Sequence, residues 1–128
     1  MSQHILVVDD EPQIRDLLSM YLMKQGFRVS TTADTQQTYQ VMREDPADLV
    51  VLDIGLAEED GLKLLARLKE DFAGILVIML TGMGFVEDLL QEAHQKGADG
   101  YVSKVLPLEE LLYAIQRTLS PEDPEYTR

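Results

Sequence analysis

Cysteine is absent from the 128-residue chain, which excludes disulfides and thiolate metal sites and fits a reducing, cytoplasmic setting. Basic residues are scarce: 11 Lys and Arg against 23 Asp and Glu leave a formal charge of 11 − 23 = −12. A surface of that sign repels phosphate backbones and anionic lipid, so direct binding to nucleic acid or to a membrane is not expected of this domain. No apolar run approaches the roughly 20 residues that span a bilayer, and residues 1–4 lack a secretory signal pattern. Internal repeats and low-complexity tracts are missing too. What is present is 45% hydrophobic and 27% charged, the balance of one globular domain that relies on a packed apolar core.

Five short aliphatic runs alternate with stretches of helical period. The runs fall at residues 5–8, 28–32, 49–52, 75–80 and 100–103. Three of them (ILVV, LVVL and ILVIML) are continuously apolar, as suits strands covered by helices on both faces of a parallel sheet. The second run, with Val29 between Arg28 and Ser30, is half polar and fits a sheet edge.

Between the runs, Ile14, Leu17, Leu18, Tyr21 and Leu22 recur at helical spacing and predict one buried stripe, closed by Gly26. Thr38, Val41 and Met42 are the inward candidates of a second helix over residues 35–44, and Leu62, Leu65 and Leu68 those of a third. Val86, Leu89, Leu90 and Ala93 mark a fourth, ending at Gly97. Pro107 opens the fifth, whose face is Leu108, Leu111, Leu112, Ile115 and Leu119. Met20, Met23, Met79 and Met83 are expected in or near the core, and His4 and His94 at the surface. Residues 120–128, with two prolines and three acids, read as an exposed tail or the start of a linker. Strict alternation of strand and helix leaves no room for hairpins. It predicts an α/β domain built on an open, doubly wound sheet with helices on both faces. Periodicity does not fix the strand order.

In such a sheet ligands bind beyond the carboxyl ends of the strands. The residues there are Asp9, Asp10 and Glu11 after the first run, Asp53 after the third, Thr81 after the fourth and Lys104 after the fifth. Carboxylates about 5 Å apart repel by roughly 3 kcal/mol per pair at an effective dielectric near 20, so the bare cluster is costly without a cation. Oxygen ligands alone, with no His or Cys beside them, favour a hard ion, and an open site suits Mg²⁺. Lys104 would neutralise further charge and serve as a point charge toward phosphate oxygens. A carboxylate beside such an ion, an ammonium and a hydroxyl suits in-line attack on phosphorus, giving an acyl phosphate. Taken singly, each residue has a plainer role. Asp9, Asp10 or Glu11 would cap the next helix, Thr81 would lie in a turn, and Lys104 would be solvated. Their joint placement after four different strands favours the chemical reading.

These same segments, ILVVDDEP, LVVLDIGLAEEDG, VIMLTG and GADGYVSK, resemble the receiver domain of two-component response regulators in order and spacing. The likeness runs over about residues 3–119, leaving 120–128 as the tail. It implies the flavodoxin-like, five-stranded parallel sheet in order 2-1-3-4-5. It also implies that Asp53 accepts a phosphoryl group from a sensor histidine kinase or phosphotransfer protein. Asp9, Asp10, Asp53 and the main-chain carbonyl of Gly55 would hold Mg²⁺. Thr81 and Lys104 would contact the phosphate, and Tyr101 would turn inward as the threonine moves. That change would remodel the face of the fourth helix, fifth strand and fifth helix, where an output domain or partner protein binds.

Some residues depart from the family. Val105 stands where a proline, often cis, is usual; a cis bond there would cost about 3–4 kcal/mol, so this bond is expected to be trans. Ala57 replaces another usual proline. Gly82, Met83 and Gly84 make the loop after Thr81 permissive, and a mobile entrance to the fourth helix is expected. The last helix, with Tyr113, Ala114, Ile115, Gln116 and Arg117, carries few of the basic residues used for dimer salt bridges in the winged-helix regulators. The expectation is a signalling domain rather than an enzyme. Its alternatives are a receiver-like interaction module without phosphotransfer and a Mg²⁺-dependent aspartyl-phosphate phosphatase. The phosphatase is disfavoured by Gly55, where such enzymes carry a second acid.

Overall fold

The computed structural model describes residues 2–56, 60–82, 87–104 and 107–120. Five strands alternate with five helices in the order β1 (His4–Val8), α1 (Pro12–Lys24), β2 (Arg28–Thr32), α2 (Thr35–Glu44), β3 (Leu49–Asp53), α3 (Gly61–Asp71), β4 (Leu76–Thr81), α4 (Glu87–Gln95), β5 (Gly100–Ser103) and α5 (Leu108–Leu119). The strands form one sheet in the order β2-β1-β3-β4-β5, and every neighbouring pair is parallel. The expected α/β architecture and strand order are therefore observed.

Side chains of a strand alternate between faces, and here the alternation separates two cores. Leu6, Val8, Val50, Leu52, Val77 and Met79 pack with Met42 of α2, Leu62, Leu64, Leu65 and Leu68 of α3, and Ala93 of α4. The intervening residues Ile5, Val7, Leu49, Val51, Ile78, Leu80 and Val102 pack with Leu18 and Leu22 of α1 and Leu111, Ala114 and Ile115 of α5. Strands β1 and β3 are buried at every position because both of their faces are covered. Each fully enclosed aliphatic side chain contributes about 1.5–3 kcal/mol. β2 lies at an edge, and its mixed burial matches its mixed sequence.

Local chemistry sets the element ends. Asp34 and Asp60 cap α2 and α3, their carboxylates accepting from the amides of Gln37 and Leu62. Gly26 and Gly97 take φ of 96° and 102° just past α1 and α4, which their lack of a Cβ permits. Pro107 sits at the N-cap of α5, one residue before its first turn.

Four surface and core expectations are corrected. His4 is 1% exposed: its Nε2 lies 2.7 Å from Ser30 Oγ and its Nδ1 3.2 Å from the Pro46 carbonyl. A carbonyl only accepts, so Nδ1 carries the proton, and the ring is satisfied inside the amino end of the sheet. Met20 and Met23, expected in the core, are 61% and 58% exposed, and Leu17 is half exposed. α1 meets the sheet through Leu18 and Leu22, four apart on a narrow line, and among the described residues no helix covers its outer flank. Met79 is buried as expected and His94 is exposed. Expectations for Ala57, Met83, Gly84, Val86, Val105 and most of the tail lie outside the described residues. Among the described residues, no helix is long and apolar enough to cross a membrane.

Candidate functional site

The strand order reverses between β1 and β3: one leads outward to β2, the other toward β4 and β5. The carboxyl ends of β1 and β3 therefore flank a crevice, and Asp9 and Asp53 stand at its two sides. Backbone bonds extend the sheet pairing past the strand ends and fix the residues that matter. The Asp9 amide donates to Thr32 O at 3.1 Å, the Ile54 amide to Leu80 O at 2.9 Å and the Lys104 amide to Thr81 O at 2.9 Å.

Carboxylate oxygens of Asp9, Asp10 and Asp53 lie within 4.8 Å of one another. Asp9 and Asp53 are buried and Asp10 is half-buried. Asp53 Oδ1 accepts from the Gly55 amide at 3.0 Å, and Asp9 Oδ1 from the Glu11 amide at 2.9 Å. The Lys104 ammonium reaches across from β5 to Asp53 Oδ2 at 3.1 Å, Glu11 Oε1 at 2.9 Å and Asp9 Oδ2 at 2.9 Å. The last contact brings the ammonium against an Asp9 Oδ2 that is fully enclosed. Arg15 adds a bond from Nη1 to the Asp9 carbonyl at 2.6 Å.

Burial pushes the Asp53 carboxyl above its ordinary range, and the negative charge of Asp9 adds to this. The Gly55 amide and Lys104 pull the other way without cancelling the rise. Burial alone would depress the Lys104 ammonium, but the carboxylates of Glu11, Asp9 and Asp53 outweigh it and raise it above the usual lysine range. Three converging carboxylates, two of them buried, make a site that a cation would relieve. An all-oxygen donor set of this spacing fits a hard divalent ion.

Thr81 is 3% exposed at the end of β4, paired in register with Ser103. Asp53 is in register with Leu80, which places Thr81 one position further along the rim. Gly82 brings its backbone beside Lys104, where an added Cβ would stand 3.7 Å from Cδ. Gly55 is exposed, and a Cβ there would stand 3.9 Å from Asp53 Oδ1. Gly61 lets the first turn of α3 press on the end of β3: a Cβ at that position would fall 2.4 Å from the Asp53 carbonyl. Tyr101 stands apart from the cup. It is in register with Met79 and packs half-buried against the core on the α2, α3 and α4 side of the sheet, and burial raises its hydroxyl pKa.

Of the residues expected from the sequence, Asp9, Asp10, Asp53 and Lys104 thus come together, with Gly55 and Thr81 at the rim and Tyr101 to one side. Glu11 is named in the sequence only by its place after β1, and nothing there pairs it with Lys104, which is 93 residues away. Arg15 was not singled out; its spacing of six from Asp9, on the helix that follows, was the available signal.

The chain matches the family model of the response regulator receiver domain over residues 5–116. It is 36% identical over 119 residues to the TorCAD operon transcriptional regulatory protein TorR of Escherichia coli O157:H7, covering 93% of this chain and 51% of that protein. The solved receiver domain of the TMAO respiratory system response regulator TorR is 35% identical, with a TM-score of 0.85, covering 94% of this chain and 99% of that one. A CheY-like receiver domain protein from Methanospirillum hungatei JF-1 superposes with a TM-score of 0.88 at 26% identity, covering 98% and 99% of the two chains. The chain spans about half the length of the curated relatives it matches.

Proposed function

Because this chain belongs to the response regulator receiver domain family, we propose that it accepts a phosphoryl group on Asp53 from a sensor histidine kinase or phosphotransfer protein. The observation that carries this reading is the convergence of Asp9, Asp10 and Asp53 with the Lys104 ammonium at one end of the sheet. Asp53 is the nucleophile. Its Oδ1 is held by the Gly55 amide, which orients the carboxylate toward the open side of the cup. Asp9, Asp10, Asp53 and the Gly55 carbonyl would hold Mg²⁺, which when bound supplies positive charge for the transferring phosphoryl oxygens.

Lys104 supplies a second positive charge, and the Thr81 hydroxyl donates to a phosphoryl oxygen. Movement of Thr81 toward the phosphate frees space above β4 that Tyr101 enters, altering the surface of α4, β5 and α5. An output domain or partner protein reads that surface. On this reading residues 3–119 are the receiver unit and 120–128 a tail or linker, the setting is cytoplasmic, and the domain itself touches neither nucleic acid nor membrane. The chain is a phosphorylated switch, not a catalyst with a turned-over substrate.

Mass spectrometry of the protein treated with acetyl phosphate and Mg²⁺ tests the proposal. One added phosphoryl group is expected, located on Asp53, and none on Asp53→Asn. Equal labelling of the variant would move the acceptor elsewhere and overturn the assignment.

A further inference from the structure

We infer that Glu11 is a latch on this chemistry: it holds the Lys104 ammonium in the resting state and competes for it with the incoming phosphoryl group. The inference rests on Asp53 being the acceptor. Lys104 has three N–H donors, and Glu11 Oε1 and Asp53 Oδ2 take two of them at 2.9 and 3.1 Å. The third carboxylate oxygen, Asp9 Oδ2, is equally near at 2.9 Å. The Lys104 side chain is 12% exposed, Asp9 and Asp53 are nearly enclosed, and Glu11 is 57% exposed. Glu11 is thus the ligand that water can replace at least cost.

A second observation is independent of these distances. Glu11 occupies the N-cap of α1 and makes no capping hydrogen bond, so no amide of the first turn competes with Lys104 for its carboxylate. Its carboxylate is turned away from the helix amides and toward an ammonium on the opposite side of the site. Its backbone is fixed meanwhile, because its amide donates to Asp9 Oδ1 and Pro12 follows it at the start of the helix.

The step it would gate balances simply. A bond forms between an Asp53 carboxylate oxygen and phosphorus, the bond from phosphorus to the donor breaks, and with acetyl phosphate the departing acetate keeps the electron pair. The phosphoryl oxygens carry more charge than one carboxylate, so the ammonium turns to them and Glu11 is the partner it gives up. Until then Glu11 slows phosphorylation by occupying the ammonium.

The test is the initial rate of labelling of the full chain by acetyl phosphate with Mg²⁺, followed by intact mass, with circular dichroism confirming that each variant folds. Glu11→Gln should label about three- to fivefold faster, the factor expected for loss of one exposed charge contact. Asp16→Asn removes the same charge from the exposed side of α1 and should label at the parent's rate. In a Lys104→Met background, Glu11→Gln should give little or no gain, because the partner of the latch is gone. If the parent labels on Asp53 and Glu11→Gln matches it, or if the gain survives without Lys104, the latch is overturned while the acceptor assignment stands. If the parent never labels on Asp53, both fall.

Discussion

Asp53 carries a cost that can be measured at one residue. Its carboxyl sits above the ordinary range chiefly because it is buried, with Asp9 adding to the rise. The folded chain therefore binds this proton more tightly than the unfolded chain does. The favourable contribution is complete below the ordinary carboxylate value and is lost as pH rises through the folded value, so ionised Asp53 opposes folding at neutral pH. Asp53→Asn should raise Tm by a few degrees near pH 7, and the gap to the parent should shrink as pH falls below about 4. Thermal denaturation of both proteins across that range checks it; a lower Tm for the variant at neutral pH would mean that the ion pair with Lys104 outweighs the burial. Much of this site was legible at the same scale, since Asp9, Asp53, Thr81 and Lys104 each directly follow a strand-forming run and Asp10 comes next after Asp9. The partnership of Glu11 with Lys104 was not, because a contact between residues 93 apart leaves no local pattern. His4 was misjudged for a related reason. Its burial is set by Ser30 and Pro46, which the fold brings to it from two other segments.

At the scale of elements, strands read more faithfully than helix faces. β2 and β5 have the bounds expected from the sequence, and the other three differ by one residue at one or both ends. A strand buried on both faces announces itself by composition. A helix announces only that one side is apolar, and how wide a strip is covered depends on its neighbours. α1 shows the difference: five apolar positions recur at helical spacing, but only Leu18 and Leu22 are fully buried. α2 is the opposite case, a helix poor in apolar residues whose position owes much to its cap. Asp34 accepts from the Gln37 amide at 2.8 Å, and Gln37 Oε1 in turn accepts from the Ala33 amide at 3.0 Å. Asp34→Ala should lower stability by about 1 kcal/mol, the usual worth of such a cap. Urea denaturation would show this as a shifted midpoint with an unchanged slope; no shift would mean that the packing of Thr38 and Met42 alone holds the helix.

For the whole molecule, the formal charge of −12 is not spread at random, since three acids meet at one end of the sheet. A cation there would bind the folded chain and not the unfolded one, because only folding assembles the ligands from β1 and β3. Mg²⁺ at about ten times its dissociation constant should stabilise the protein by about 1.4 kcal/mol. Differential scanning calorimetry at low salt should show Tm rising with Mg²⁺, and Asp9→Asn should lose most of that rise. Equal shifts in both proteins would point to general screening instead of a site. Strand order was the global feature that periodicity left open. The chain's likeness to its family supplied it, because the pairing of β1 with both β2 and β3 joins segments whose own patterns do not say which lie side by side.

At the opposite end of β4 and β5 the two strands are tied by a compact knot. Asp99 exchanges both its amide and its carboxylate with the backbone of Val77, and Lys69 of α3 clasps that carboxylate and the Ile75 carbonyl. Any displacement that starts near Thr81 therefore meets a foot that is bolted down. The two strands can lean at their free ends, like reeds rooted in one bed, but cannot slide past one another.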